Sequence, residues 1–321
     1  GAALGRALML FAFMTMIGSL LSISLAAFFV TSSLPWQSSL AIGPFLSIIF
    51  LPVIFVLFRE SSHRNRENAR SFEITRCFEL FSIRSYLLLV IVMSLGAFYL
   101  KAFMFWTPSF LLSAWNYSPQ IYGDITFPTV ITTKSTAELI GTLTGLPLLV
   151  GIAEKFHFGF CSFGGSTRSI PIVFAVSSVF ASAAALGQLY SASHSYTTLL
   201  VSAFFNSFMG APFISLGNQM LLTVCPSGER TSAMSMLGLV TSITTLPAEQ
   251  IIGRISDAIR GNSEMLYDRF FALEIALFVN WAIFVVAGLF YSLLIVFYPS
   301  DELKAREDEN EDNTEKTPLL N

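Results

Sequence analysis

Eight stretches of the chain are almost wholly apolar and reach the roughly 20 residues that a bilayer core requires of a helix. They are Leu8–Val30, Leu40–Phe58, Tyr86–Leu112, Ile131–Ile152, Ile170–Tyr190, Thr197–Val224, Thr231–Ile252 and Phe270–Tyr298. The pattern predicts an all-α polytopic membrane protein of about eight transmembrane helices. Polar residues gather between these stretches. The longest polar interval, residues 59–84, is mixed in charge and separates two predicted helices from six. The final interval, residues 300–321, is acidic and poor in apolar residues, which predicts a disordered tail.

Composition agrees with the pattern. Hydrophobic residues are 54% of the chain and charged residues 12%, against roughly 25% charged in ordinary soluble domains. Mean hydropathy is +0.66. One globular core cannot hide that much apolar surface, so the solvent for most of the chain is lipid. A lipid bilayer is therefore the first expected partner, and no nucleic acid is expected. The opening GAALGRALML has neither initiator methionine nor signal peptide, and reads as a chain entered part-way.

Basic residues orient the helices. Thirteen of the 18 Lys and Arg fall on the side that carries the 59–84 loop. Arg254, Arg260 and Arg269 fall on the other, and Lys101 and Lys134 lie inside predicted helices. Both termini are therefore expected in the cytosol. The sequon at Asn116-Tyr117-Ser118 falls on the outer side, where glycosylation of Asn116 is expected, though Pro119 should weaken its use. Cys77, Cys161 and Cys225 all map to the cytosolic face and are expected as free thiols.

The chain also echoes itself. GRALMLFAFMTMIGSLLSISLAAFF, which contains Arg6, resembles GERTSAMSMLGLVTSITTLPAEQIIG, which contains Arg230, at an offset of 224 residues. That is about the length of one six-helix transporter half plus a linker, and such parallel repeats mark major facilitator carriers. On this reading residues 1–58 are the last two helices of an N-terminal bundle and 59–84 the inter-bundle loop. Residues 85–299 are then the C-terminal six-helix bundle and 300–321 the cytosolic tail.

Three local patterns carry a family resemblance. FMFWTPSFLL, at Phe103–Leu112, is similar to an aromatic-Trp-x-Pro-x-Phe-Leu run that closes the seventh helix of Spinster-like major facilitator transporters. NQMLLTVCPSGERTSA, at Asn218–Ala233, resembles their junction between helices ten and eleven. IIGRISDAIRG, at Ile251–Gly261, resembles the close of their eleventh helix. The order of the three implies helices 5–12 of a 12-helix fold. It further implies a transporter of lysophospholipids or sphingoid lipids working by alternating access in late endosomes or lysosomes.

The tail points to the same compartment. Glu315, three intervening residues, then Leu319 and Leu320 form an acidic dileucine pattern of the kind clathrin adaptors read. The chain departs from the family where Asn206, Asn218 and the Thr244-Thr245 pair stand at positions near family carboxylates. With three such groups neutral, facilitated movement down a gradient is the expectation rather than proton coupling by this half.

Lys101 is the main chemical candidate. A charge at mid-membrane is costly unless paired or hydrated, so it either faces a polar path, where it holds a phosphate as a point charge, or snorkels to the interface or pairs with a structural carboxylate. Trp106 and Asn206 join it as candidate path residues, with Asn218. Pro108 is expected to kink or end its helix. Lys134 and Glu138 share one helical face and are expected as a structural ion pair, and Glu274 and Asn280 as structural. No cofactor and no metal site is expected, since His63, His157 and His194 map to loops and no paired intramembrane carboxylates are visible. That pattern disfavours an enzyme. A truncated, non-transporting scaffold, or a carrier of another small organic solute, stays open beside the lipid transporter.

Overall fold

The computed structural model describes residues 79–158, 166–226 and 228–315, together with Gly18, Ile48, Leu51 and Pro52. The chain divides into two compact units, residues 1–13 with 72–321, and residues 14–71. Apart from Gly18, Ile48, Leu51 and Pro52, the predicted helices Leu8–Val30 and Leu40–Phe58 lie outside the described residues, as do most of the 59–84 loop, Cys77, Cys161, Leu319 and Leu320.

The described residues of the first unit are helical. After one 3₁₀ turn at Leu80–Ser82 come α1 (Arg84–Tyr117), α2 (Pro119–Tyr122), α3 (Phe127–Phe158) and α4 (Ser169–Ser191). Then follow α5 (Tyr196–Gly210), α6 (Pro212–Val224), α7 (Arg230–Thr245), α8 (Ala248–Arg260) and α9 (Leu266–Glu315). Five stretches are long and apolar enough to cross a membrane: α1, α3 to His157, α4, α5 with α6, and α9 to Glu307. With 16 and 13 residues, α7 and α8 are each too short to cross alone. The chain is an integral membrane protein.

Two predicted spans are thus broken. Thr197–Val224 divides at Ala211-Pro212, and Thr231–Ile252 divides at Leu246-Pro247. Each proline opens the second segment without a backbone donor of its own. At the second break, hydroxyls take up carbonyls of the preceding turn: Thr244 Oγ1 donates to Val240 O at 2.8 Å and Thr245 Oγ1 to Ser242 O at 3.2 Å. Pro108 behaves differently. It neither ends α1 nor stands near its end, because α1 continues nine residues beyond it to Tyr117. In lipid, ending a helix strands several carbonyls and amides, whereas one internal proline removes a single donor.

Residues 300–315 correct the expectation of a disordered tail: α9 runs on as helix to Glu315. The cause lies in its first charged turns. Glu302 is fully buried, and its Oε1 takes Arg306 Nη2 at 2.5 Å and faces His157 Nε2 at 3.4 Å. Asp301 Oδ2 accepts the Ser85 backbone N–H at 2.9 Å, at the start of α1. Acidic composition did not forbid these contacts. His157 accordingly stands in the last turn of α3 rather than in a loop.

Small residues set the packing. Gly141 and Gly145 form a G-x-x-x-G pair on α3 that lets α5 approach to backbone distance. A Cβ at Gly145 would lie 2.1 Å from the Phe208 carbonyl oxygen, and one at Gly141 2.4 Å from that of Phe204. α1 is the hub against α9. Tyr99 stacks on Phe284 with centroids 4.6 Å apart, and buried Asn280 donates to the Tyr99 carbonyl at 3.0 Å. Tyr86 Oη reaches Ala233 O on α7 at 3.1 Å. At the opposite end, the Tyr122 hydroxyl on α2 donates to Ala192 O at 2.5 Å. Burial pushes its pKa up to about 12, with Tyr196 adding to the effect.

Candidate functional site

The second helix break organises a site. α8 begins at Ala248, and Glu249 lies in its first turn, where the helix dipole favours a negative charge. Glu249 Oε1 pairs with Lys101 Nζ of α1 at 3.4 Å. The backbone carbonyl of the same glutamate accepts the indole N–H of Trp106 at 2.9 Å. The Trp106 ring then covers Gly253 one turn further along α8, where a Cβ would come within 2.7 Å of the ring. One residue, two partners: Glu249 ties α8 to α1 by both side chain and main chain.

This pair is not shut inside the protein. The Lys101 side chain is 57% exposed and that of Glu249 31%. On α1, Lys101, Met104, Phe105, Pro108 and Leu112 recur at helical spacing and are all exposed. The uncovered face of α1 therefore carries one ion pair bordered by an apolar stripe. Lys101 has the carboxylate partner expected on one reading and also an open side.

The other candidates are placed apart from it. Lys134 and Glu138 are joined as an i, i+4 ion pair on α3, with the lysine side chain only 6% exposed. Asn206 is half-buried on α5 and Asn218 buried on α6, one on each side of the Ala211-Pro212 break. Among the described residues no hydrogen bond or ion pair links either asparagine to Lys101. Asn116 is exposed in the last turn of α1, while Ser118 of its sequon is buried. Glu315 is the final residue of α9. Cys225, just beyond α6, is a buried free thiol whose pKa is pushed up to about 12, chiefly by burial and then by Glu229.

Glu249 is the residue missed in the sequence. It lies within the Thr231–Ile252 stretch, and the argument that singled out Lys101 applies equally to a carboxylate there. Its position two residues after Pro247 was the available signal.

Spans broken at prolines, with a half-helix N-terminus holding a charged group, are a construction shared by secondary transporters. No family model and no curated protein matches the sequence. Among solved structures the chain is similar to a bacterial homologue of the human lysosomal transporter Spinster, crystallised inward-facing and unoccupied. The TM-score is 0.58 at 14% identity, over 87% of this chain and 66% of that one. The chain thus spans just under two thirds of the length of that transporter. At this identity the likeness shows the fold alone: the chain shares the helical fold of that transporter.

Proposed function

We propose that the chain belongs to a secondary transporter that moves a lysophospholipid or sphingoid lipid by alternating access across the late endosomal or lysosomal membrane. The five described spans, with α7 and α8 together as one more, serve as helices seven to twelve of the carrier, and residues 1–58 as helices five and six. The observation that carries this reading is the exposed Lys101–Glu249 pair at a broken helix, on a fold shared with a transporter. An amphiphile needs a charged contact for its headgroup and an apolar track for its chain. The α1 face supplies both, Lys101 as a point charge for a phosphate and Met104 with Phe105 beside it.

Movement is down the gradient, because Asn206, Asn218 and the Thr244-Thr245 pair are neutral. Delivery to the compartment rests on Glu315, Leu319 and Leu320, read by a clathrin adaptor from the cytosolic side.

The test is uptake of a headgroup-labelled lysophospholipid into proteoliposomes holding the full protein, with and without a pH gradient. Saturable uptake that is insensitive to the gradient and weakened by Lys101→Met supports the reading. Saturable uptake of a non-lipid solute alone would replace the substrate. Correctly folded protein that takes up neither would point to the scaffold alternative.

A further inference from the structure

A second polar place lies at the far end of α1 from the Trp106 region, where α1 begins beside the end of α6 and the charged turns of α9. It is a cavity of about 500 Å³ whose walls include Ile83, Arg84, Val224, Phe297, Asp301 and Lys304. We infer that this cavity is a headgroup site for an anionic phospholipid of the surrounding bilayer. The inference is independent of what the protein transports.

Position is the first argument. Arg84 is the first residue of α1, and Phe297 with Tyr298 closes the apolar run of α9. The cavity therefore sits where hydrocarbon gives way to headgroups. Basic pockets between helices at that level are suited to anionic lipid headgroups.

Charge is the second. Arg84 and Lys304 are both exposed, and among the described residues neither makes an ion pair with a carboxylate. The Arg84 guanidinium rests over the Phe297 ring, 5.6 Å from its centroid, which fixes it at the wall without neutralising it. Asp301 is the one anion of the lining. Its carboxylate is engaged by the Ser85 N–H at the positive end of the α1 dipole. Two cations against one committed carboxylate leave the cavity with a net positive charge.

The apolar surroundings separate a lipid from a free anion. Ile83, Val224 and Phe297 give the cavity an apolar border that a soluble phosphate would have no use for. From Phe297 the same face of α9 continues through Leu293 and Leu289, at steps of four residues, and both leucines are exposed. A headgroup held by Arg84 and Lys304 would have its acyl chain lying along that stripe.

The experiment is native mass spectrometry of the full chain in detergent, offered equal amounts of phosphatidylglycerol and phosphatidylcholine. Preferential retention of phosphatidylglycerol is expected. Lys304→Gln should weaken it about fivefold, and Arg84→Gln with Lys304→Gln roughly twenty-five-fold, at about 1 kcal/mol for each interfacial cation. Phosphatidylcholine retention should not change. Both side chains are exposed, so folding should survive, and Lys304→Arg should keep the preference. Equal retention of the two lipids, or a double variant that still prefers phosphatidylglycerol, would overturn the assignment. So would displacement of the lipid by millimolar inorganic phosphate, which would make the site one for a free anion.

Discussion

The indole of Trp106 donates to the backbone carbonyl of Glu249 at 2.9 Å, so an aromatic side chain on α1 clamps the first turn of α8 just past a proline break. Trp106→Phe keeps a ring over Gly253 and removes only the donor. The expected cost is about 0.5–1.5 kcal/mol, in the range of single interhelical hydrogen bonds. It would be read as a lower melting midpoint in detergent. Gly253→Val should cost more, since its side chain would enter the ring plane.

The Lys101–Glu249 pair is expected to matter for transport far more than for stability. Partly exposed pairs contribute on the order of 1 kcal/mol or less. Lys101→Met and Glu249→Gln should therefore leave the melting midpoint almost unchanged and reduce lysolipid uptake at least tenfold. If the attraction itself is what counts, the charge-exchanged double variant should recover part of the lost uptake. A proteoliposome assay of the three variants decides it.

Gly145→Ala should destabilise the α3–α5 contact by about 1–3 kcal/mol, because the new methyl meets a backbone oxygen that cannot rotate away. Gly151→Ala on the same helix meets nothing within 4 Å and should be neutral or slightly stabilising. Comparing the two melting curves separates close approach from helix propensity.

Cys225 should resist maleimide at pH 8 while the protein is folded. A thiol pushed up to about 12 is almost wholly protonated there, and the thiolate is the reacting form. With Cys77 and Cys161 changed to serine, labelling should accelerate by orders of magnitude on denaturation. The sign of the linkage follows. The folded pKa is raised, so the contribution to stability is present below the unfolded value near 9 and is lost as pH rises from there toward 12. Urea midpoints at pH 8 and pH 10, compared between Cys225 and Cys225→Ser, test it.

Arg306→Ala removes the close partner of a buried carboxylate. The cost is expected to be about 2 kcal/mol, below that of a fully buried pair because Arg306 is half exposed. Glu302→Gln should soften the loss, since an amide in the same place needs no counter-charge. Thermal melting of the single and double variants reads the coupling.

Much of this architecture was legible in the apolar runs. The four unbroken or proline-pierced spans in the described residues stand where hydropathy put them, with ends moved by a few residues except for the 17-residue continuation of α9 past Tyr298, because a bilayer demands length and apolarity and little else. What hydropathy could not show was where a span breaks. Ala211-Pro212, Leu246-Pro247 and Pro108 look alike in the sequence, yet only the first two divide a helix. Local hydroxyls do not separate the cases, since Thr107 Oγ1 donates to Phe103 O beside Pro108 much as Thr244 Oγ1 donates to Val240 O before Pro247, and the outcome is decided in three dimensions. Lys101 was visible because a charge in lipid stands out. Its partner Glu249 was hidden by the same apolar average that revealed the helix. The tail misled for a related reason: charge density argued for disorder, whereas Asp301 and Glu302 each had a specific partner on another helix.

The length of α9 has a mechanical consequence. Its 50 residues, at 1.5 Å each, make a rod of about 75 Å, and Glu315 falls about 25 Å beyond Tyr298. The rod is fastened more than two thirds of the way along, to the start of α1 through Asp301 and to the end of α3 through Glu302. It is thus a lever with its fulcrum at the edge of the membrane. Any load applied near Glu315 acts over an arm of about 20 Å from that fulcrum, and the torque arrives at Ser85 and His157 rather than dissipating in slack chain.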